Sequence, residues 1–211
     1  MMGCMSADPD LFALWARGWA LTRDVAPPVW DDGGWRIEVA AEDQLRRFLF
    51  SRSGEAVARR AAHVHEPKVF LKVCAPVEDV EPLLPKGWIA RQTGAVMTLD
   101  GMMRDAPVNE GYAVEMTREG AVTFCSVWSP QGVEAGRGRA VMVSGYVIYD
   151  RIAVEPPFRR QGVGGLVMRT LQTAMGGTTK GVLTATTEGQ ALYRTLGWRD
   201  CSPYTTAVLE G

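Results

Sequence analysis

Two prolines, two arginines and three glycines within ten residues, Pro156 to Gly165, form the most chemically pointed segment of this 211-residue chain. The apolar stretch Ile152–Val154 is stopped by Pro156 and Pro157, because proline cannot donate to a sheet ladder and restricts the residue before it. Arg159 and Arg160 then bring two positive charges. Gly162, Gly164 and Gly165 allow successive backbone N–H groups to turn toward one point. The run that follows Gly165 reads as a helix, whose first-turn N–H groups and positive dipole end aim the same way. A segment of this kind is suited to grip the oxygens of a phosphate or diphosphate. Just before it, Tyr146–Val154 reads as a long strand on which Tyr146, Ile148, Asp150, Ile152 and Val154 share one face by period-two alternation. Asp150 is then a lone carboxylate among apolar neighbours and a candidate general base. A structural ion pair with an arginine explains it equally well. Glu155, at the strand end, reads as a loop charge and a secondary candidate.

Two common nucleotide loops fit this segment poorly. The NTP-binding loop needs Lys-Ser or Lys-Thr after its glycines, and neither is present. The dinucleotide fingerprint needs a third glycine where Val167 stands. Arg159-x-x-Gly162-x-Gly164 instead resembles the pyrophosphate-binding signature of the GNAT acyltransferase superfamily. A second motif lies downstream in the order that family has. Gly181–Thr186 reads as a buried strand, followed by a short helix closed by Gly197. Ala191-Leu192-Tyr193 and Leu196-Gly197-Trp198 are similar to the family's C-terminal pattern. The resemblance is specific from about Asp150 to Trp198, looser from Tyr112 to Tyr149, and faint before that.

The resemblance implies an N-acetyltransferase that uses acetyl-CoA as co-substrate and transfers the acetyl group directly to a primary amine of a small molecule or peptide. It implies that Arg159, Arg160, Gln161, Gly162, Val163, Gly164 and Gly165 hold the diphosphate. The pantetheine arm would lie against backbone groups of Ile152, Ala153 and Val154, where two strands part, with a backbone N–H near Ala153 or Val154 facing the oxyanion. Tyr193 is implied as general acid and cofactor neighbour, although a tyrosine at this spacing alone would more simply pack helix on sheet. Thr186 stands near the cofactor where the family often has Asn, and Gly189 replaces a common Ala. These departures keep open a different class of function, a non-catalytic module that binds or senses acyl-CoA.

The elements that must position these groups are a mixed α/β arrangement, with a GNAT-like core built on a central mixed, largely antiparallel sheet flanked by helices. Residues 106–211 form that core in this reading, and residues 1–105 a mixed α/β extension packed on it and shaping the substrate side. In the core, Tyr112–Thr117, Ala121–Trp128 and Val133–Val143 read as antiparallel strands, with Ser144-Gly145 turning into the strand over Tyr146–Val154. The family places two helices between its first two strands, and none fits between Tyr112 and Trp128. In the extension, Asp8 caps a first helix with Pro9 at its start and Leu11, Leu14 and Trp15 on its apolar face. Trp35–Val39 reads as strand, Glu42–Phe50 as helix, Ser53 to about His63 as helix, and Val69–Cys74 and Ala95–Leu99 as strands.

Composition excludes several classes. With 23 basic and 24 acidic residues there is no net field to favour nucleic acid. No apolar run reaches membrane-spanning length, and the start lacks a secretion signal, so a cytoplasmic location is expected. Cys4, Cys74, Cys125 and Cys201 are scattered without metal-like spacing and read as reduced thiols. His63-x-His65 lacks companion ligands, so no metal is expected. Trp15, Trp19, Trp30 and Trp35 read as core rather than as a substrate cage. The partners expected are an amine substrate, no nucleic acid and no membrane; a homodimer is left open.

Overall fold

A computed structural model describes residues 6–177 and 179–209; the expectation for Cys4 falls outside them. The elements run α1 (Pro9–Thr22), β1 (Val29–Asp31), β2 (Gly34–Glu38), β3 (Arg46–Phe50), α2 (Glu55–His63), β4 (Val69–Val73), α3 (Val77–Val80) and β5 (Trp88–Gly101). They continue β6 (Ala113–Glu119), β7 (Val122–Trp128), β8 (Glu134–Val143), β9 (Tyr146–Val154), α4 (Val163–Ala174), β10 (Thr179–Thr186), α5 (Thr187–Thr195) and β11 (Arg199–Leu209). Two compact units are present. The first gathers the described residues of Met1–Met97, Thr184–Thr187 and Asp200–Gly211; the second gathers Thr98–Leu183 and Glu188–Arg199.

In the first unit the strand order is β1-β2-β3-β4-β11-β5. β3 and β4 run parallel, while β2–β3 and β4–β11 are antiparallel. The segment Glu42–Phe50 is not a helix. Val39 and Ala40 N–H groups both donate to Leu45 C=O, Ala40 takes a left-handed φ of 52°, and the chain turns back as β3. Phe48, Leu49 and Phe50 are buried on both faces, so the run is continuously apolar. Periodicity cannot separate such a strand from a buried helix. The helix expected near Ser53–His63 forms as α2, which lays Val57 and Ala61 on a core of Phe48, Phe50, Leu71 and Val73. α1 begins as expected: Asp8 Oδ1 accepts from Asp10 N–H at 2.8 Å and Leu11 N–H at 3.2 Å. Such a cap is worth about 1 kcal/mol. Its buried face differs from expectation, being centred on Phe12, Trp15, Ala16 and Trp19, with Leu11 and Leu14 only half-buried.

The second unit has the order β10-β9-β8-β7-β6. β6 to β9 form an antiparallel meander, and β10 joins β9 in parallel. The two-residue turn Gly120-Ala121 links β6 directly to β7, so no helix intervenes there. α4 packs on the sheet through Val163, Val167 and Leu171, over Gly136 and Gly138, where any added Cβ would strike those side chains. Leu192 of α5 and Leu196 just after it lie beside Gly164 and Gly165 of α4. Residues 101–109 run back along these helices as a strap. The buried Gln172 amide ties it down, accepting from Met103 N–H and donating to Gly101 C=O, both at 2.8 Å. Arg104 N–H donates to Leu196 C=O and Asn109 N–H to Gln161 C=O. The strap was not foreseen in the sequence.

Candidate active site

The segment between β9 and α4 folds as its composition demands. Pro156–Phe158 make one 3-10 turn, with Phe158 N–H donating to Glu155 C=O and Arg159 N–H to Pro156 C=O. From there the chain changes hand twice, at Arg160 (φ 65°) and Gly162 (φ 84°). Gly162 is required on two counts. Its φ lies in the left-handed region, and a Cβ there would collide with the backbone of Pro107 and Val108. The first backbone donor of α4 is Leu166, to Gly162 C=O at 3.0 Å. Among the described backbone hydrogen bonds, none is donated by residues 160–165. These N–H groups sit at the positive end of a 12-residue helix, where an anion is favoured.

Arg159 and Arg160 are exposed. Arg159 Nε lies 3.5 Å from Val154 C=O. The Gln161 side chain braces the loop: its amide donates to Pro157 C=O at 3.0 Å, and its oxygen accepts from Tyr112 O–H at 2.6 Å. Gly164 serves packing. A Cβ there would lie 2.7 Å from Leu192 Cδ2, so Gly164 is small because α5 presses on α4.

β9 does not keep one face along its length. Arg139 pairs with Asp150 and Arg137 with Ala153, so Arg151 and Ile152 together stand opposite Gly138. Arg151 takes a φ of 52° and the strand bulges. The bulge shifts the alternation by one residue. Asp150 falls on the face of Arg139 and Ala153, while Ile152 and Val154 turn toward α4. This corrects the expectation that Asp150, Ile152 and Val154 share a face. Asp150 Oδ2 lies 3.5 Å from Arg139 Nε, with the side chains 11% and 16% exposed. Arg139 is a site residue that the sequence reading missed, although the two-residue turn Ser144-Gly145 sets it opposite Asp150 before the bulge begins. Glu155 bonds Arg137 at 2.9 Å.

The parallel β9–β10 ladder registers three pairs and ends at Val182–Ile148. Beyond it, β9 stays paired with β8 across the bulge. Glu155 N–H donates to Ala135 C=O on the β8 side. By alternation the Val154 N–H points away from β8, as does its carbonyl, which faces Arg159.

Tyr193 on α5 is 7% exposed, with its ring 6.0 Å from that of Trp198, which in turn lies edge-on to Tyr149 at 5.4 Å. Burial pushes the Tyr193 phenol well above its ordinary value, and the negative charge of Asp150 pushes it further. Tyr193, Asp150, Arg139, Ile152–Val154 and residues 159–165 therefore all belong to the second unit. Thr186 ends β10, is exposed, and clusters with the first unit. His63 ends α2, with Nδ1 2.7 Å from Arg59 C=O. Among the described residues, no group of three or more His, Cys, Asp or Glu is placed to hold a metal. Nor, among the described residues, is any helix long and apolar enough to cross a membrane.

Residues 109–200 match the acetyltransferase (GNAT) domain profile. The chain carries a GNAT acetyltransferase domain. The matched segment runs from the end of the strap through α5, and so contains the loop, the bulged strand and Tyr193. Solved structures extend the likeness in fold. A GCN5-related N-acetyltransferase from Kribbella flavida superposes with a TM-score of 0.66 at 13% identity, covering 100% of this chain and 97% of its own. A GNAT-family protein from Novosphingobium aromaticivorans gives 0.55 at 16% identity, covering 94% and 98%. A GCN5-related N-acetyltransferase-like protein from Streptococcus suis gives 0.59 at 12% identity, covering 94% and 93%. At these identities the likeness is one of fold. No curated protein sequence matches the chain.

Proposed function

We propose that this GNAT protein is an N-acetyltransferase that moves an acetyl group from acetyl-CoA to a primary amine of a small molecule or peptide. The observation that carries the reading is the segment 160–165, whose N–H groups bond no backbone carbonyl among the described residues and stand at the start of α4 beside two exposed arginines. Acetyl-CoA would supply the activated thioester, held through its diphosphate by the N–H groups of 160–165 with Arg159 and Arg160, and along its amide-bearing arm by Ile152 and Val154. The Val154 N–H, directed away from β8, is the oxyanion donor of this scheme rather than Ala153. One preorganised donor of this kind is worth about 2.7–4 kcal/mol.

Tyr193 keeps its proton at neutral pH because burial and Asp150 both oppose the phenolate. A thiol of ordinary acidity, near pKa 8.5, ionises more readily than this phenol. Tyr193 therefore stabilises the departing sulfur by donating a hydrogen bond more than by surrendering its proton. Asp150, held by Arg139, accepts the proton of the attacking amine. The raised Tyr193 phenol also favours a rival reading, an acyl-CoA-binding module without turnover.

Mixing the protein with acetyl-CoA and a broad amine panel, and recording free thiol, separates the two. Thiol release that depends on the amine supports the transferase. Saturable CoA binding with no release from any amine establishes the module instead, and absence of CoA binding removes both.

A further inference from the structure

The backbone of Gly165 does not demand glycine, since its φ lies outside the left-handed region. Neighbours keep the position small instead. A Cβ there would stand 3.1 Å from Arg169 Nη1, and 3.7 Å from both Ala106 Cβ of the strap and Leu196 Cδ2. Arg169 follows Gly165 by four residues on α4, and helical side chains lean toward the N-terminus. Its guanidinium is thereby laid back over the first turn, into the space that the missing Cβ leaves. Nη1 is buried there without a hydrogen-bond partner. Among the described ion pairs, none includes Arg169. The residue as a whole is half-buried. With Met116, Thr170, Thr173 and Ala174 it borders an open cavity of about 390 Å³, so the guanidinium has room to turn its donors toward a ligand.

We propose that Arg169 is a further residue of the cofactor site and donates to the diphosphate of CoA beside Gly165. The proposal rests on the reading of 160–165 as the diphosphate cradle. A buried donor without an acceptor is costly, and a guanidinium without a counter-charge adds to that cost. The N–H of Gly165, against which the guanidinium lies, also bonds no backbone carbonyl among the described residues, and it belongs to the positive end of α4. Two kinds of donor, both electropositive, therefore meet at one residue. A diphosphate satisfies them together. Its oxygens accept from the backbone N–H groups and keep lone pairs for the planar guanidinium fork. Arg159 and Arg160 are exposed on the loop, whereas Arg169 is set in place by the helix that carries it, so less of its freedom is lost on binding. Gly165 is then glycine for the sake of Arg169.

The test is calorimetric titration of the full chain with CoA and with 3′-dephospho-CoA, each at low and high salt, for the wild type, Arg169→Met and Arg169→Lys. Arg169→Met should bind both compounds roughly tenfold more weakly, the share of one or two charge-assisted hydrogen bonds, and with a shallower dependence on salt. Without ligand it should melt at or above the wild-type temperature, because a buried donor without a partner has gone. Arg169→Lys should recover part of the affinity and stay several-fold below wild type, since a point charge lacks the fork. Loss confined to CoA would put the guanidinium on the 3′-phosphate and overturn the assignment. Weakening in Arg169→Met with unchanged salt dependence would reduce Arg169 to helix packing and overturn it too. If the wild type binds CoA and either variant binds it equally well, the proposal falls while the acetyltransferase reading stands. If the wild type does not bind CoA, that reading falls first and takes the proposal with it. Arg169→Lys keeps a cation in place, so the comparison holds even if Arg169→Met does not fold.

Discussion

Asp150 and Arg139 face each other across the β8–β9 ladder at the point where β9 bulges, 3.5 Å apart and almost entirely withdrawn from water. Either a carboxylate that handles protons or a pair that merely locks the bulge would look like this. A double-mutant cycle distinguishes them. Asp150→Asn leaves the Arg139 cation without its charge partner and should destabilise the fold by about 3 kcal/mol. Arg139→Met should do the same to Asp150. The double variant should recover much of that stability, since no buried charge remains uncompensated. If Asp150 handles the proton, acetyl transfer stays at least tenfold down in the double variant. Recovery of both melting temperature and turnover would reduce the pair to a structural clamp.

Tyr193→Phe removes one hydroxyl and leaves the ring on Trp198. Melting should move little, CoA affinity should be unchanged, and kcat should fall roughly 10- to 100-fold, at the low end of acid catalysis because a strongly raised phenol donates a hydrogen bond rather than a proton. A kcat equal to wild type would remove Tyr193 from the chemistry.

At Arg160 stability and binding should move in opposite directions. Its φ of 65° is one that side chains other than glycine adopt only at a cost of about 1 kcal/mol or more. Arg160→Gly relieves this strain, offset in part by glycine's greater freedom when unfolded. The expected result is a melting temperature equal to or slightly above wild type, together with weaker CoA binding and a shallower dependence on salt. Undiminished CoA affinity would place the diphosphate elsewhere. Gly164 is a poorer probe, since a side chain there meets Leu192 before any ligand.

The phosphate loop was readable because its requirements are local. Proline stops a strand, glycine permits a left-handed turn, and a helix start follows, all within ten neighbouring residues. The meander β6–β9 was readable for the same reason, through alternation and short turns. What escaped was set by distant partners. β3 lies between β2 and β4 in the sheet and is buried on both faces, with α2 over Phe48 and Phe50, so its apolar run carries no period that marks it as strand. The Asp150 face was misassigned because the bulge at Arg151 comes from the register with Gly138, which no strand periodicity encodes. The strap 101–109 owes its path to Gln172, seventy residues away, and the polar side chain gives no sign in the sequence that it is buried.

Gln172 therefore invites its own test. It is 1% exposed and satisfies two backbone groups of the strap at once. Gln172→Leu puts an apolar side chain of similar size on the buried side of α4 but strands Met103 N–H and Gly101 C=O. At about 1–3 kcal/mol for each abandoned group, the loss should reach several degrees in Tm. Limited proteolysis should then cut within 101–109, and CoA binding should weaken, because Pro107 and Val108 back Gly162 in the loop. An unchanged digestion pattern would show that the strap is held by its other bonds.

The buried Lys72 makes stability depend on pH in the direction opposite to a salt-bridged lysine, whose folded pKa is raised. Its folded pKa is lowered to about 7, whereas the unfolded side chain keeps the ordinary value of 10.5. Between these values the unfolded chain binds the extra proton, so stability rises with pH. Below pH 7 Lys72 is charged in both states and the full penalty of its burial, on the order of 3–5 kcal/mol, bears on the fold. Above about pH 9 the trend reverses, because Cys74 and Tyr204 have pKa values raised by burial and ionise first in the unfolded chain. Denaturant midpoints measured from pH 6 to 9 should therefore climb for the wild type and stay flatter for Lys72→Met, with the variant the more stable of the two at pH 6. Parallel curves would mean that Lys72 keeps its proton in the folded protein, held by an anion or by water that reaches the ammonium.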